Sequence, residues 1–289
     1  MQRLQIRHLT VYEFSNSVML QPHRLLIRPR EGHDVRIESS KLEISPAHRV
    51  KWHRDVFDNS VAVVRFLETA QRLAIDSKVV IQHYEEAPLD FIVEDYAVDY
   101  PFEYCEEERV DLAPFQQLIY AEQQSVLHDW LRGLNLLSGK IETYVLLDRL
   151  NRIITNEFNY MVREEPGVQS PAQTLRSRSG SCRDYATLFI EACRFLGLAS
   201  RFVSGYSHVP GLDAGGAATH AWAEVYLPGP GWKGFDPTAG ELTGSRHIPV
   251  AVARHPEMAP PVAGSFVGPK GTFSTLHVEV QVTASVYSL

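Results

Sequence analysis

Cysteine is scarce in this sequence, and its scarcity excludes two common uses of the residue. The 289 residues include three cysteines, Cys105, Cys182 and Cys193. They are too few and too scattered for a disulfide framework or a zinc site. If Cys182 and Cys193 share one helix, the helical rise separates them by about 16 Å, too far for a disulfide bond. Cys193 lies inside an apolar run and is expected in the core.

Long hydrophobic runs are also missing. No segment approaches 18 uninterrupted apolar residues, so no transmembrane helix is predicted. Residues 1–8 mix polar and apolar side chains with no continuous hydrophobic segment behind them, which is unlike a signal peptide. With 44% hydrophobic residues the chain can still bury a substantial core. We expect a soluble globular protein in the cytoplasm.

Basic residues are not in excess. The formal net charge is −7, and it is uneven along the chain. Residues 85–111 contain eleven acidic residues and one basic residue, Arg109, for a net charge of −10, which leaves +3 for the remainder. This balance argues against a nucleic-acid partner. Calcium binding is the functional alternative for the acidic segment, but no Asp-x-Asp-x-Asp-Gly loop is present, so a solvated acidic face is favoured.

Motifs for nucleotide and metal chemistry are missing as well. The sequence has no Walker motif, no Gly-x-Gly-x-x-Gly between a strand and a helix, and no His-Glu-x-x-His. No internal repeat is evident, and no segment resembles a membrane-surface helix. We therefore predict no cofactor, no metal site and no membrane partner.

The periodicity of the chain predicts three regions. Residues 2–87 alternate apolar and polar side chains in short segments separated by turn residues, which predicts a β-sandwich domain. Residues 88–114 mix acidic and aromatic side chains, and we interpret them as an ordered connector because disordered segments contain few aromatics. Residues 115–289 form the predicted core, which begins with helical apolar stripes over 115–163 and ends with a strand over 276–286.

A loop of small residues runs into a strong helix pattern over residues 177–188, and Cys182 lies at the junction. Ser181 is a good N-cap, and Asp184 is placed to complete a capping box, so Cys182 falls in the first helical turn. The unpaired N–H groups there stabilise a thiolate and can hold an oxyanion. Gly180 allows another segment or a substrate to approach closely. From these residues alone, a reactive and a buried structural cysteine are equal alternatives.

Two later segments favour the reactive cysteine. His220 lies in residues 219–226 and Asp236 in residues 231–238, and both segments alternate in the way that paired strands do. The sequence Pro-Gly-Pro-Gly over 228–231 is a turn signal between them. A hairpin would bring His220 and Asp236 to the same end of adjacent strands, where a carboxylate can orient an imidazole that serves a thiol.

Together these motifs resemble the transglutaminase-like superfamily of cysteine proteases. They are Gly-Ser-Cys-Arg-Asp-Tyr-Ala around Cys182, His-Ala-Trp-Ala-Glu-Val from His220, and Phe-Asp-Pro-Thr around Asp236. The resemblance covers residues 151–240, and the preceding region is loosely similar to the β-rich N-terminal domain of bacterial members. It implies an α+β fold in which a β-sandwich precedes a papain-like core, with the Cys182 helix packed on an antiparallel sheet. It also implies that Cys182 is the nucleophile, His220 the general base and acid, and Asp236 the orienting residue.

Three further features surround these motifs. Tyr160 lies in a segment that resembles the family's sequence ahead of the nucleophile, and its hydroxyl is either a second oxyanion donor or part of a packed aromatic residue. Residues 209–218 are predicted to form a loop that covers or admits substrate, or serves only as a tether. Trp222 is expected in the core, on the strand face opposite His220.

The predicted function is thiol-dependent acyl chemistry on a peptide or protein amide. Transfer of the acyl group to water would make the chain a cysteine protease or amidase, which we favour because no calcium loop is evident and the resemblance is to bacterial members. Transfer to an amine would make it a protein-glutamine transglutaminase. A non-catalytic protein-binding module is the alternative from another class, and the presence of all three motifs argues against it. The sequence does not predict an oligomeric state.

Overall fold

The computed structural model describes residues 1–84, 89, 91–163, 165–208 and 218–284 as a mixed structure of helices and mainly antiparallel sheets. The helices are α1 (Glu106–Gln116), α2 (Gln124–Gly133), α3 (Thr143–Glu157), α4 (Pro171–Ser177) and α5 (Cys182–Phe195). The strands are β1 (Gln2–Leu20), β2 (His23–Leu25), β3 (Val35–Ser45), β4 (His48–Arg54), β5 (Ser60–Phe66), β6 (Thr69–His83), β7 (Asp99–Tyr100), β8 (Ile141–Glu142), β9 (Asn159–Tyr160), β10 (Ser179–Gly180), β11 (Ser200–Ser207), β12 (Ala218–Leu227), β13 (Gly231–Asp236), β14 (Glu241–Leu242), β15 (His247–Ala253), β16 (Val262–Ala263), β17 (Phe266–Val267) and β18 (Ser274–Ala284).

The first six strands belong to two antiparallel sheets that share a core. One sheet has the order β17-β1-β6-β3 with β18 also paired to β1, and the other has the order β16-β2-β5-β4. On β6, buried and less buried side chains alternate from Leu73 to His83, because successive side chains of a strand point to opposite faces. Val18, Val64 and Ile75 come from both sheets and lie in one buried cluster. The predicted β-rich N-terminal region is therefore confirmed.

The C-terminal strands return to these N-terminal sheets. β18 pairs antiparallel with β1 from Leu4↔Ala284 to Phe14↔Ser274, and β16 pairs with β2. β18 and β16, which lie in the region 115–289 predicted as the core, thus pair with strands of the predicted N-terminal domain. An alternating pattern such as that of β18 predicts a strand, but it does not identify the strand's partner. Residues 285 and 286 of the predicted tail strand lie outside the described residues.

The core sheet carries the helix that begins with Cys182. Its five strands have the order β14-β13-β12-β11-β15, and α5 packs against β12 and β11. Ala221 and Ala223 present small side chains to the helix, which lets its backbone approach the sheet closely. Phe189 of α5 stacks on Phe235 of β13 with ring centroids 5.5 Å apart. The predicted packing of the Cys182 helix on an antiparallel sheet is thus present.

The helices agree only in part with the predicted periodicity. α2 and α3 lie within the predicted helical region 115–163, but residues 117–123 and 134–142 of that region lie outside the α-helices, and Asn159–Tyr160 forms β9. α5 ends at Phe195. Gly197 then adopts a φ of 80°, the left-handed conformation that favours glycine after a helix. α1 begins earlier than predicted, at Glu106 inside the acidic segment. No helix in the described part of the chain is both long and apolar enough to cross a membrane.

The described part of the acidic connector is ordered and packs on the core. Tyr104 is 6% exposed, and its hydroxyl accepts a hydrogen bond from the Ala199 N–H (3.0 Å) and donates one to the Tyr226 carbonyl (2.9 Å). Phe102 packs against Tyr104 edge to face. Aromatic packing therefore orders this segment despite its charge, as the sequence predicted. Residues 85–88 and 90 of the predicted acidic stretch lie outside the described residues.

Candidate active site

Cys182 is the first residue of α5, at the end of a tightly held loop. Ser181 donates two hydrogen bonds to the Asp184 carboxylate, one from its N–H and one from its hydroxyl, each at 2.8 Å. Asp184 therefore reaches back to the N-cap residue, as the spacing predicted. The Cys182 side chain is partly exposed. The thiol thus stands in the first turn of a helix, where unpaired N–H groups favour negative charge.

Asp184 also ties this loop to more distant segments. Its side chain is fully buried and accepts hydrogen bonds from the Arg163 guanidinium at 2.8 and 3.0 Å and from the Gln169 N–H at 2.7 Å. A buried carboxylate needs such donors, because an unpaired charge in the interior is costly. A Cβ at Gly180 would lie 2.8 Å from the Asp184 Cβ, so the close approach predicted at this glycine is made by the chain's own helix.

His220 and Asp236 meet at one end of the β12–β13 hairpin. Their Nε2 and Oδ2 atoms are 2.7 Å apart, and the side chains are 13% and 2% exposed. Burial alone would lower the pKa of His220, but hydrogen bonds to Asp236 and Cys182 and their negative charges raise it to about 10. The structure therefore brings Cys182, His220 and Asp236 together. Because the His220 ring lies between a carboxylate and a sulfur, its protonated, imidazolium form is favoured.

Asp236 is held by several donors. Its Oδ1 accepts a hydrogen bond from the Thr238 N–H at 2.9 Å, and its Oδ2 faces the imidazoles of His220 and His247. Burial would raise the pKa of Asp236, but the hydrogen bonds from His220 and His247 hold it below the ordinary range of a carboxyl group. The carboxylate consequently stays charged at neutral pH.

His247 is a site neighbour that the sequence analysis missed. Its Nε2 lies 3.0 Å from Asp236 Oδ2, and its side chain is 4% exposed. His220 Nε2, Asp236 Oδ2 and His247 Nε2 lie within 4.8 Å of one another, the kind of grouping that can hold a metal ion. Here, however, both imidazoles direct Nε2 at the same carboxylate oxygen at hydrogen-bond distance. A metal would need the lone pairs that these N–H groups lack, so the arrangement fits a hydrogen-bonded carboxylate better.

Tyr160 stands beside the thiol. Its side chain is 50% exposed, and its ring packs edge to face on Tyr185, with centroids 6.2 Å apart. Partial burial, together with the charge and hydrogen bond of Cys182, raises the pKa of Tyr160 to about 12. Its hydroxyl therefore remains a neutral donor at physiological pH. The Tyr160 ring is packed on Tyr185, and Tyr160 and Cys182 line the same cavity.

A cavity of about 550 Å³ opens at these side chains. Cys182, His220 and Tyr160 line it, and one wall is apolar, formed by Val162, Phe202, Ala259, Pro260 and Pro261. Charged residues at the rim are Arg163, Arg183 and Glu257. A concave, largely apolar space with a few polar groups at one end suits an organic substrate. Residues 209–217 of the predicted loop before His220 lie outside the described residues.

The other two cysteines are placed away from this chemistry, whereas Trp222 lies beside His220. Cys105 is exposed ahead of α1, and Cys193 is fully buried, which raises the pKa of its thiol. Trp222 is in the core, but the expectation that it lies on the face opposite His220 is wrong. Residues two apart in a strand share a face, and the two rings are 6.1 Å apart.

Comparisons with known proteins match both the N-terminal region and the core of the chain. The family model described as the bacterial transglutaminase-like N-terminal region matches residues 4–82, and that of the transglutaminase-like superfamily matches residues 135–237. An uncharacterized protein of Mycobacterium tuberculosis is 29% identical over 281 residues, covering 91% of this chain and 87% of the relative. An uncharacterized protein of Mycobacterium leprae is 33% identical over 123 residues, covering 40% of this chain and 42% of the relative.

A solved structure has the same fold. It is a protein of Cytophaga hutchinsonii described provisionally as a cysteine protease, with a TM-score of 0.73, 18% sequence identity, and coverage of 99% of this chain and 92% of that one. At this identity the likeness concerns the fold. Residues 135–237 of this chain thus match the transglutaminase-like superfamily and residues 4–82 the bacterial N-terminal region that accompanies it, and the chain shares the fold of the solved neighbour.

Proposed function

We propose that the protein is a cysteine hydrolase that cleaves peptide or protein amide bonds. Cys182 is the nucleophile, His220 the general base and acid, and Asp236 the residue that orients His220. The observation that carries the proposal is the position of the His220 imidazole, which is hydrogen-bonded to Asp236 at 2.7 Å and lines, together with Cys182, a cavity of about 550 Å³. A thiolate–imidazolium pair supplies both a strong nucleophile and a proton for the leaving group.

Each proton in the proposed reaction has a named carrier. The Cys182 thiolate attacks the amide carbonyl carbon, and the carbonyl π electrons move to oxygen. The Cys182 N–H and the Tyr160 hydroxyl donate to this oxyanion. When the C–N bond breaks, the His220 imidazolium gives its proton to the leaving amine. Water then attacks the thioester and transfers a proton to His220, which releases a carboxylic acid and restores the thiolate–imidazolium pair.

The same acyl-enzyme can transfer its acyl group to an amine. That outcome would be transglutaminase activity, and it differs from hydrolysis only in the acceptor that enters the site. We favour water because the sequence carries no calcium loop of the recognised type. The complete set of Cys182, His220 and Asp236 argues against a protein-binding module without catalysis.

The acceptor can be tested directly. A glutamine-containing peptide is incubated with the protein and a labelled primary amine, and the products are separated by mass spectrometry. We expect free acid to exceed the labelled amide, and C182A to form neither. More labelled amide than free acid would establish transamidation as the main reaction. The proposal would be contradicted if, over a panel of peptide amides, the wild type formed no more free acid and no more labelled amide than C182A.

A further inference from the structure

Two imidazoles share one oxygen of the candidate active-site carboxylate. His220 Nε2 and His247 Nε2 lie 2.7 and 3.0 Å from Asp236 Oδ2, and their ring centroids are 6.1 Å apart. The His247 side chain is 4% exposed and does not line the cavity at Cys182. The hydrogen bond that links His247 to the three candidate catalytic residues is the one to Asp236.

The hydrogen bonds of His247 define where its proton lies. The Gly244 N–H donates to His247 Nδ1 at 3.3 Å. A backbone N–H can only donate, so Nδ1 keeps its lone pair and the ring proton is on Nε2. His247 is thus placed to donate from Nε2 to Asp236 Oδ2, and this tautomer supports the carboxylate.

The surrounding structure holds the His247 ring in place. The Trp222 ring meets it edge on, with centroids 5.2 Å apart. The His247 backbone is paired with Ser207 of β11, and its carbonyl is 3.2 Å from His83 Nε2 in the N-terminal region. The next residue, Ile248, is buried in a cluster shared with N-terminal strands. The N-terminal region therefore braces the strand that begins with His247.

We propose that His247 is a positioning residue, whose Nε2–H fixes Asp236 Oδ2 and keeps the carboxylate ionised and turned toward His220. This inference rests on the proposed function, in which Asp236 orients His220. Asp236 is 2% exposed, so water cannot easily replace a lost donor. Without His247, Asp236 Oδ2 loses one of its two donors, so the carboxylate is held less firmly toward His220 and takes up a proton more readily, and the imidazolium beside Cys182 loses support.

A matched pair of variants separates hydrogen bonding from packing. In H247Q, the glutamine amide offers an N–H donor at a reach similar to that of Nε2, whereas H247L fills a similar volume and offers none. H8L is the control, because His8 is also a buried histidine (2% exposed) but bonds to the Tyr206 hydroxyl, away from Asp236. The rate of Cys182 alkylation by iodoacetamide at pH 6.5 is measured for all three variants and the wild type.

We expect H247L to alkylate about tenfold more slowly than the wild type, since a hydrogen bond to a charged group is lost, and H247Q and H8L to stay within about twofold. In a D236N background, H247L should add less than about twofold, because its effect passes through Asp236. Equal rates for H247L and H247Q, or losses that multiply in the double variant, would overturn the inference while leaving the proposed function standing. A wild-type Cys182 no more reactive than Cys105 would instead overturn the proposed function.

The tautomer of His247 gives a test that needs no variant. In wild-type protein labelled with ¹⁵N-histidine, nitrogen chemical shifts at pH 7 distinguish a protonated from an unprotonated ring nitrogen. We expect His247 to be protonated at Nε2 only. Protonation at Nδ1 would contradict the inference even if H247L fails to fold.

Discussion

His220 and Asp236 are separated by 16 positions in the sequence, and their side chains meet at 2.7 Å. The β12–β13 hairpin causes this contact, with Ala223 opposite Phe235 and the two polar residues beyond that pair. Cys182 reaches the same place from the N-terminus of α5. Local turns and one helix packed on the sheet are therefore sufficient to assemble three groups suited to acyl transfer.

Substitutions of the three residues should lower the rate of acyl-enzyme formation by amounts that follow a defined order. C182A should abolish acyl-enzyme formation, and H220A should slow it about a thousandfold because the proton carrier is removed. D236N should cost less, since it keeps the shape but loses the charge that supports the imidazolium. Rates of hydrolysis of a peptide amide identified in the acceptor test would be compared. H220A/D236N should be scarcely slower than H220A, and multiplied losses would show that Asp236 acts in folding or substrate binding instead.

Tyr160 offers a test of the oxyanion site. Y160F keeps the ring on Tyr185 but removes the hydroxyl, and it should slow acylation by about tenfold to a hundredfold with little change in thermal stability. Y185F is the matched control, because the Tyr185 hydroxyl is buried and has no hydrogen-bond partner among the residues described. If both variants acylate at the wild-type rate, Tyr160 is only a packed aromatic residue.

Asp184 should matter for stability as well as for the loop before Cys182. D184A leaves the hydrogen-bond donors of Arg163, Gln169 and Ser181 without their acceptor. It should lower the free energy of unfolding by about 3 kcal/mol. The pair Arg178–Glu157 has a similar distance of 3.0 Å but is 50% and 46% exposed. R178Q should therefore change stability by less than about 1 kcal/mol. Urea titrations would give the free energy of unfolding of both variants. Equal losses of stability in D184A and R178Q would refute the assigned role of Asp184.

The protonation of His220 predicts a pH dependence of stability. Its pKa in the folded protein is raised from 6.5 to about 10, so the protonated form stabilises the fold fully below pH 6.5. This contribution is lost as the pH rises through about 10. The difference in unfolding free energy between the wild type and H220Q should thus be largest near pH 6 and shrink by pH 10. A difference that stays constant over this range would contradict the imidazolium assignment.

Local signals in the sequence predicted much of the site, and long-range pairing was the part they missed. The capping contact between Asp184 and Ser181 spans three residues, and the hairpin is indicated by a Pro-Gly turn. Both could therefore be predicted from short stretches of the sequence. His247 reaches Asp236 only because the segment after β14 folds back, and no periodicity encodes that contact. The return of β18 to β1 likewise depends on strands at opposite ends of the chain.

The central claim is that Cys182 is an activated thiol, and its alkylation across pH tests this most directly. Native protein is treated with iodoacetamide between pH 5 and 9, and the modified peptides are quantified by mass spectrometry. Below pH 7, Cys182 should react at least about tenfold faster than the exposed Cys105, while the buried Cys193 stays unmodified. A Cys182 that reacts no faster than Cys105 below pH 7 would contradict the account.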